Sequence, residues 1–327
     1  MTVKSVIEAV RDAMFEEMHR DSDVFLMGED VGKRGGVFLA SQGFYEEFGP
    51  DRVIETPLAE ASIVGIALGA AMKGMRPIAE IQFSDFVWPA ANQLIGEAAR
   101  ARYGSDGALA VPMVVRIPYG GGIHGGLYHS QNVEVPFFHT PGLKVVTPAT
   151  PYDAKGLLKA SIRDDNPVVF LEHKKTYRLV RGEVPEEEYV LPIGKAEVKR
   201  SGSDVTLATY GLMLHYCLEA ANILANEGTS VEVVDLRSLK PLDTETIVAS
   251  VKRTGKMLIV HEDNMTGGVG AEVAAVAAQE AFDYLDGPVT RLCGPDIPTM
   301  PYAPTLEDAY MPNTDRIAQA LRDLAAY

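Results

Sequence analysis

Short apolar runs alternate with helix-like stretches along nearly the whole chain, and this rhythm restricts the fold more than any other feature. Val24-Phe-Leu-Met27, Ile78-Ala-Glu-Ile81, Met113-Val-Val115 and Val168-Val-Phe-Leu171 have the length and apolar character of buried strands. Between them the periodicity predicts helices over 5–20, 60–75, 89–103 and 152–163. Strands apolar on both faces and separated by helices build a parallel sheet covered on both sides, so the fold class is α/β. The chain has 327 residues, more than one hydrophobic core usually supports. Composition changes after Tyr177: residues 181–204 are rich in Glu, Lys, Gly and Pro and read as a connection. The expected domains are therefore 1–180 and a smaller α/β domain over 205–327. Strands are expected in the latter at 205–209, 231–235, 257–260 and 289–292, with helices at 212–225, 244–251, 270–282 and 315–325.

Charge and cysteine usage exclude several function classes. Thirty Lys and Arg stand against 45 Asp and Glu, a formal charge of −15. Such a field repels phosphate backbones and anionic lipid, which argues against nucleic-acid and membrane partners. An anionic small ligand would need local positive charge, a metal or residues from a partner. Cys217 and Cys293 form neither a disulfide framework nor a zinc pattern, which favours a reducing compartment. Residues 1–11 carry charges where a signal peptide needs an apolar run. The longest apolar stretch, 63–72, is too short to span a bilayer, and a cytoplasmic protein is expected.

Familiar signatures fail on inspection. Gly267-Gly268-Val269-Gly270 resembles the start of a dinucleotide-binding loop, but Val273 stands where its third glycine should be. No phosphate-binding G-x-x-x-x-G-K-[ST] loop and no G-x-S-x-G nucleophile elbow occurs. His124 and His129 are spaced wrongly for zinc ligands on one helix face.

Three features remain. In Glu55-Thr-Pro-Leu-Ala-Glu60, Thr56 suits an N-cap and Pro57 a first helical turn. The helix that follows, through Met72, is small and apolar on nearly every face and is expected to be buried, with Gly65 and Gly69 admitting another backbone. Glu60 is then either an acid at the positive end of a helix or a catalytic carboxylate in a poorly solvated place. The segment Arg116-Ile-Pro-Tyr-Gly-Gly-Gly-Ile-His-Gly-Gly-Leu-Tyr-His-Ser-Gln131 puts five glycines after a strand, leaving room for close backbone approach. His129 within it is either structural or poised for proton transfer. Phe83, Phe86 and Trp88 are either core or a surface on which a heterocycle stacks.

Taken together and in order, Gly28-Glu-Asp-Val-Gly32, Thr56-Pro-Leu-Ala-Glu60, Gln82-Phe-Ser-Asp-Phe86, His124-Gly-Gly-Leu-Tyr-His-Ser-Gln131 and Thr150-Pro-Tyr-Asp-Ala-Lys-Gly156 are distinctive. The sequence resembles the β subunits of the thiamine-diphosphate-dependent, decarboxylating component of 2-oxo acid dehydrogenases. The likeness extends through Val234-Asp-Leu-Arg-Ser-Leu-Lys-Pro-Leu-Asp243 to the end of the chain. It implies a transketolase-like fold, a pyrimidine-binding domain followed by a C-terminal domain. It also implies that Glu60 hydrogen-bonds N1′ of the cofactor's aminopyrimidine and favours the tautomer that deprotonates the thiazolium. Phe86 matches the ring stacked on the pyrimidine, Glu29 and Leu58 match cofactor contacts, and His129 matches the acid serving acyl transfer to a lipoyl arm. Met113, Ser161, Ile162, Asp164 and Asn166 align with a potassium site made largely of backbone carbonyls.

One absence carries equal weight. The family holds the diphosphate through magnesium with a G-D-G…N-N motif, and Gly104-Ser-Asp-Gly107 is no substitute. The resemblance puts that motif on an α subunit, giving a heterotetramer of two α and two β chains with shared sites. The segments Leu171-Glu-His-Lys-Lys-Thr-Tyr-Arg178 and Gly294-Pro-Asp-Ile-Pro-Thr-Met-Pro-Tyr-Ala-Pro304 resemble branched-chain members of the family more than pyruvate members, which implies branched-chain 2-oxo acids ahead of pyruvate or acetoin. A non-catalytic scaffold subunit and a free-standing thiamine enzyme are the rival readings; the intact Glu60, Phe86 and His129 oppose the first and the missing metal motif the second. The C-terminal segment is expected to dock the lipoyl acyltransferase core.

Overall fold

A computed structural model describes residues 1–327 as two units, one of residues 1–119 and 136–193, the other of 120–135 and 194–327. The strands of the first unit are β1 (Thr2–Ser5), β2 (Val24–Gly28), β3 (Val53–Glu55), β4 (Arg76–Glu80), β5 (Val114–Tyr119), β6 (Lys144–Val146), β7 (Val168–His173) and β8 (Arg181–Val184). The main sheet runs β6-β7-β5-β4-β2-β3 with every neighbouring pair parallel. Strands β2, β5 and β7 are buried along their whole length, which is why they read as unbroken apolar runs. The three-residue strands β3 and β6 are too short to show a period and were not expected from the sequence.

The helix Val6–Arg20 is fixed at its start by a reciprocal capping box. The Ser5 N–H donates to Glu8 Oε2 at 2.6 Å, and the Ser5 hydroxyl accepts from the Glu8 N–H at 3.4 Å. The helix Pro151–Arg163 has Thr150 as its N-cap and proline in its first turn. These helices are held side by side by charge pairs: Lys155 and Lys159 reach Glu16, and Arg163 reaches Glu17. Ala9, Val10, Ala13, Ala154, Leu157 and Leu158 fill the core between them and the sheet.

Residues 89–103, expected as one helix, instead form a tight turn (Trp88–Ala90), a wide π-type turn (Asn92–Ala98) and a short α-helix (Ala99–Gly104). A side chain at Gly96 would meet Asn92 Oδ1 at 2.9 Å, so the widened turn closes on a glycine.

The second unit contains β9 (Glu197–Arg200), β10 (Val205–Thr209), β11 (Val231–Asp235), β12 (Ser238–Lys240), β13 (Met257–Asn264) and β14 (Val289–Gly294). Its sheet runs β14-β13-β10-β11-β9, parallel throughout except for antiparallel β9 at the edge. Helices Met213–Asn226, Thr244–Thr254, Val269–Glu280 and Thr314–Ala325 lie close to their expected positions. A further helix, Pro304–Tyr310, was hidden in a proline-rich stretch.

Residues 181–204, which read as a connection, contain β8 and β9. Both pair antiparallel, β8 with β1 and β9 with β11, and both are charged, as suits edge strands. The glycine-rich segment after β5 packs with the second unit, although it precedes most of the first unit's last helix and strands in the chain.

Candidate functional site

The first unit gathers three of the distinctive motifs at the carboxyl ends of β2, β3 and β4. The Thr56 N–H donates to the Gly28 carbonyl at 2.9 Å, which joins the segment after β3 to the end of β2. Gln82 Nε2 donates to the Glu29 carbonyl at 3.4 Å and to Asp30 Oδ2 at 3.3 Å, joining the segment after β4 to the same place. In open α/β sheets, ligands bind outside these carboxyl ends.

Glu60 opens the helix Glu60–Ala71 and is 9% exposed. The helix starts at Glu60, where the apolar periodicity put it, and not at the earlier point that Thr56 and Pro57 suggested. Ala59 occupies the N-cap position and offers no side-chain hydrogen bond, so Thr56 is not the cap and Pro57 lies outside the helix. The Thr56 hydroxyl is instead buried without a partner, as is Gln93 Oε1. A side chain at Gly65 would approach Gln93 Cγ at 3.6 Å, so Gln93 lies over the same helix. The helix is not buried all round, because Ile66 is 59% exposed and Ser62 and Gly69 share its open face.

Glu29 lies close enough to Glu60 for their charges to interact. Burial, then Asp30 and then Glu60, hold the Glu29 carboxyl above the usual range. Leu58 is 71% exposed. Phe86 is half-buried, and its ring meets Phe83 edge-on with centroids 5.9 Å apart. Phe83 in turn meets Phe38, which packs against the core, at 5.5 Å, and Trp88 is half exposed. The structure therefore brings Glu29 and Glu60 together. A buried carboxylate beside a second one, with unspent polar atoms nearby, suits proton exchange with a nitrogen heterocycle, and these residues fit a thiamine cofactor.

The residues aligned with potassium lie in the first unit, where cationic side chains serve the oxygens of Ile162, Asp164 and Asn166 and backbone N–H groups those of Met113 and Ser161. Arg76 Nη1 donates to the carbonyls of Ile162 and Asp164 at 3.1 and 3.2 Å. The Met113 carbonyl accepts from the Val168 N–H at 2.9 Å, and that of Ser161 from the Asp164 N–H at 3.3 Å. Asn166 Oδ1 accepts from Arg102 at 3.0 Å, and Lys144 pairs with the Asp164 carboxylate. Two of the carbonyls aligned with potassium are thus served by a guanidinium. No group of three or more His, Cys, Asp or Glu side chains is placed to hold a metal ion.

His129 belongs to the second unit, on a loop whose base is closed by the Gly120 N–H donating to the Gln131 carbonyl at 3.1 Å. The imidazole is half-buried. Gly125 must be glycine, because a side chain there would lie 2.8 Å from His129 Cβ and from Ser130 Oγ. The carboxylates Glu134, Glu262, Asp263 and Glu307 of the same unit were not singled out from the sequence. Glu134 is fully buried and accepts from the Tyr210 hydroxyl at 2.8 Å. Its own burial, with Asp263 nearby, raises its carboxyl well above the usual range. Burial pushes Asp263 up to about 6.

Comparison with known proteins gives a consistent result. Residues 3–180 match the transketolase pyrimidine-binding domain and residues 194–317 the transketolase C-terminal domain. The chain is 57% identical to the 2-oxoisovalerate dehydrogenase subunit beta of Bacillus subtilis (strain 168), covering 100% of both chains. It is 46% identical to the pyruvate dehydrogenase E1 component subunit beta of the same organism, again covering 100% of both. Among solved structures, a split-gene transketolase described as an inactive beta4 tetramer superposes with a TM-score of 0.80 over 98% of each chain at 24% identity, a likeness of fold. No helix of the chain is long and apolar enough to cross a membrane.

Proposed function

Since this chain belongs to the transketolase-like β subunits of 2-oxo acid dehydrogenases, we propose that it works with an α subunit in the oxidative decarboxylation of branched-chain 2-oxo acids and the transfer of the acyl group to lipoyl groups. The observation that carries the reading is the buried Glu60 carboxylate at the strand ends, beside Glu29 and the motif segments that the sheet brings together. The substrate class follows the higher identity to the 2-oxoisovalerate relative, 57% against 46% for the pyruvate relative.

Thiamine diphosphate, when bound, supplies the carbon nucleophile and electron sink that protein side chains lack. Glu60 would hold a proton at N1′ of its pyrimidine, in surroundings where poor solvation strengthens that hydrogen bond. Phe86 would present its ring to the pyrimidine face, with Leu58 and Glu29 beside it. His129 would give a proton during acyl transfer. The diphosphate and its magnesium need a G-D-G…N-N motif, and positive charge, that this acidic chain does not carry. An α subunit would supply both, in a heterotetramer of two α and two β chains. The lipoyl acyltransferase core is the natural acceptor and docking partner.

Decarboxylation of 2-oxoisovalerate and of pyruvate by this chain, alone and co-expressed with its α subunit, tests the reading. Turnover is expected only in the mixture, faster with 2-oxoisovalerate, and lost in Glu60→Gln. Turnover by the chain alone would overturn the shared site, and turnover of pyruvate as fast as that of 2-oxoisovalerate or faster would overturn the substrate class.

A further inference from the structure

Within the second unit, two buried carboxylates grip the loop that carries His129. Glu307, on the helix Pro304–Tyr310, is 0% exposed, yet both of its oxygens are taken by this loop. Oε1 accepts from the Gly122 N–H at 2.9 Å, and Oε2 accepts from the His124 N–H at 3.2 Å. The His124 ring pairs with the same oxygen through Nδ1, although its side chain is 51% exposed. Glu262, near the end of β13, accepts from the Gly121 N–H at 2.6 Å and from Asn132 Nδ2 at 3.1 Å.

A carboxylate bound by backbone N–H groups makes charge-assisted hydrogen bonds, which are shorter and about twice as strong as neutral ones. Here they pin Gly121, Gly122 and His124 in a segment whose glycines give the backbone wide conformational freedom. The grip also has a conformational cost, because His124 sits at φ +57°, in the left-handed region that non-glycine residues seldom adopt. A strained residue persists only when its surroundings over-determine it, and such strain gathers at functional sites. Directly after the gripped residues, Gly125 lies against the His129 backbone and Cβ, so the position of one arm sets the position of the other.

We infer that Glu307, seconded by Glu262, is a positioning residue for acyl transfer: it fixes the 120–131 loop through Gly122 and His124 and so holds His129 in place. The inference rests on the proposed role of His129. Nothing local in the sequence announces it, since Glu307 lies 185 residues beyond Gly122.

The test uses the α–β complex, measuring acyl transfer to a lipoyl domain beside decarboxylation with an artificial electron acceptor. His129→Asn should lower transfer relative to decarboxylation by about 10²-fold, the lower end of general acid catalysis. Glu307→Ala should lower the same ratio by about tenfold, as a misplaced catalytic group does. Glu307→Gln, which still offers an oxygen to the amides, should restore part of it. Should Glu307→Ala fail to assemble, Glu307→Gln and His124→Asn decide, asparagine being tolerated in the left-handed region while lacking the ring; both should lower the ratio. A purely structural role would depress both activities together and leave the ratio unchanged in every Glu307 and His124 variant, which overturns the inference while His129→Asn still shows its selective loss. No selective loss in His129→Asn overturns the reading of His129 and the inference with it.

Discussion

At the scale of single residues, charge burial decides most of what can be predicted. Arg116 on β5 is 1% exposed and binds Glu172 through Nε and Nη2 at 2.7 and 2.8 Å and Glu80 through Nη1 at 2.6 Å. The Tyr177 hydroxyl completes the group by donating to Glu172 at 2.6 Å. Arg116→Met would leave two carboxylates buried without their cation and should destabilise the first unit by about 3–5 kcal/mol, seen as a lowered unfolding transition. Adding Glu80→Gln and Glu172→Gln to that variant should recover much of the loss, because the penalty is the stranded charge. The thiols give the opposite kind of forecast. Burial pushes Cys217 and Cys293 up to about 12, so neither forms a thiolate at neutral pH. Both should resist an alkylating reagent at pH 8 in the folded protein and react once it is denatured.

At the scale of elements, turns and caps carry the sensitivity. Gly142 has φ +96°, and a side chain there would lie 1.9 Å from the Ala99 carbonyl oxygen at the start of a neighbouring helix. Gly142→Ala would have to move backbone that leads into β6 and should cost roughly 1–3 kcal/mol or more, measured by thermal unfolding. Ser5→Ala removes one half of the capping box of Val6–Arg20 and should cost about 1 kcal/mol. Elements of this kind were legible where a pattern was long enough to register. The strands β10 and β11 fell where the apolar runs predicted, as did the helix Val6–Arg20, whose cap is written in Ser5 and Glu8. The strands β3, β8 and β9 were not legible, being three or four residues long or charged, so that pairing alone makes them strands.

At the scale of the whole molecule, stability should respond to pH through two neighbours on β13 with opposite signs. Burial depresses His261 to about 4, below its unfolded value, so the unfolded chain binds more protons between about 4 and 6.5 and stability rises with pH there. Burial raises Asp263 to about 6, so the folded chain binds more protons between about 4 and 6 and stability falls with pH over that window. The two nearly offset in the native protein. Relative to the parent chain, Asp263→Asn should therefore tilt the stability slope upward with pH from 4 to 6, and His261→Gln should tilt it downward, each by roughly 1–3 kcal/mol across the window. Unfolding midpoints measured at pH 4, 5 and 6 give both slopes, and equal slopes in the two variants would contradict the assignment.

The sequence by itself determined the α/β class, the succession of most buried strands and helices, and the family, because each is encoded in local pattern or in ordered motifs. It singled out Glu60 and His129 by residue type and setting. Its periodicity put the helix start at Glu60 correctly, but it misread the cap, since Thr56 and Pro57 satisfy the local rules for a helix start while the Thr56 N–H is taken by Gly28 on a neighbouring strand. Only the tertiary structure decided that Glu29 lies beside Glu60, that Arg76 covers the carbonyls of Ile162 and Asp164, and that Glu307 grips the His129 loop. Each of these joins residues distant in the chain through hydrogen bonds or charge. Such pairings are set by how the strands and loops pack, which no local pattern encodes.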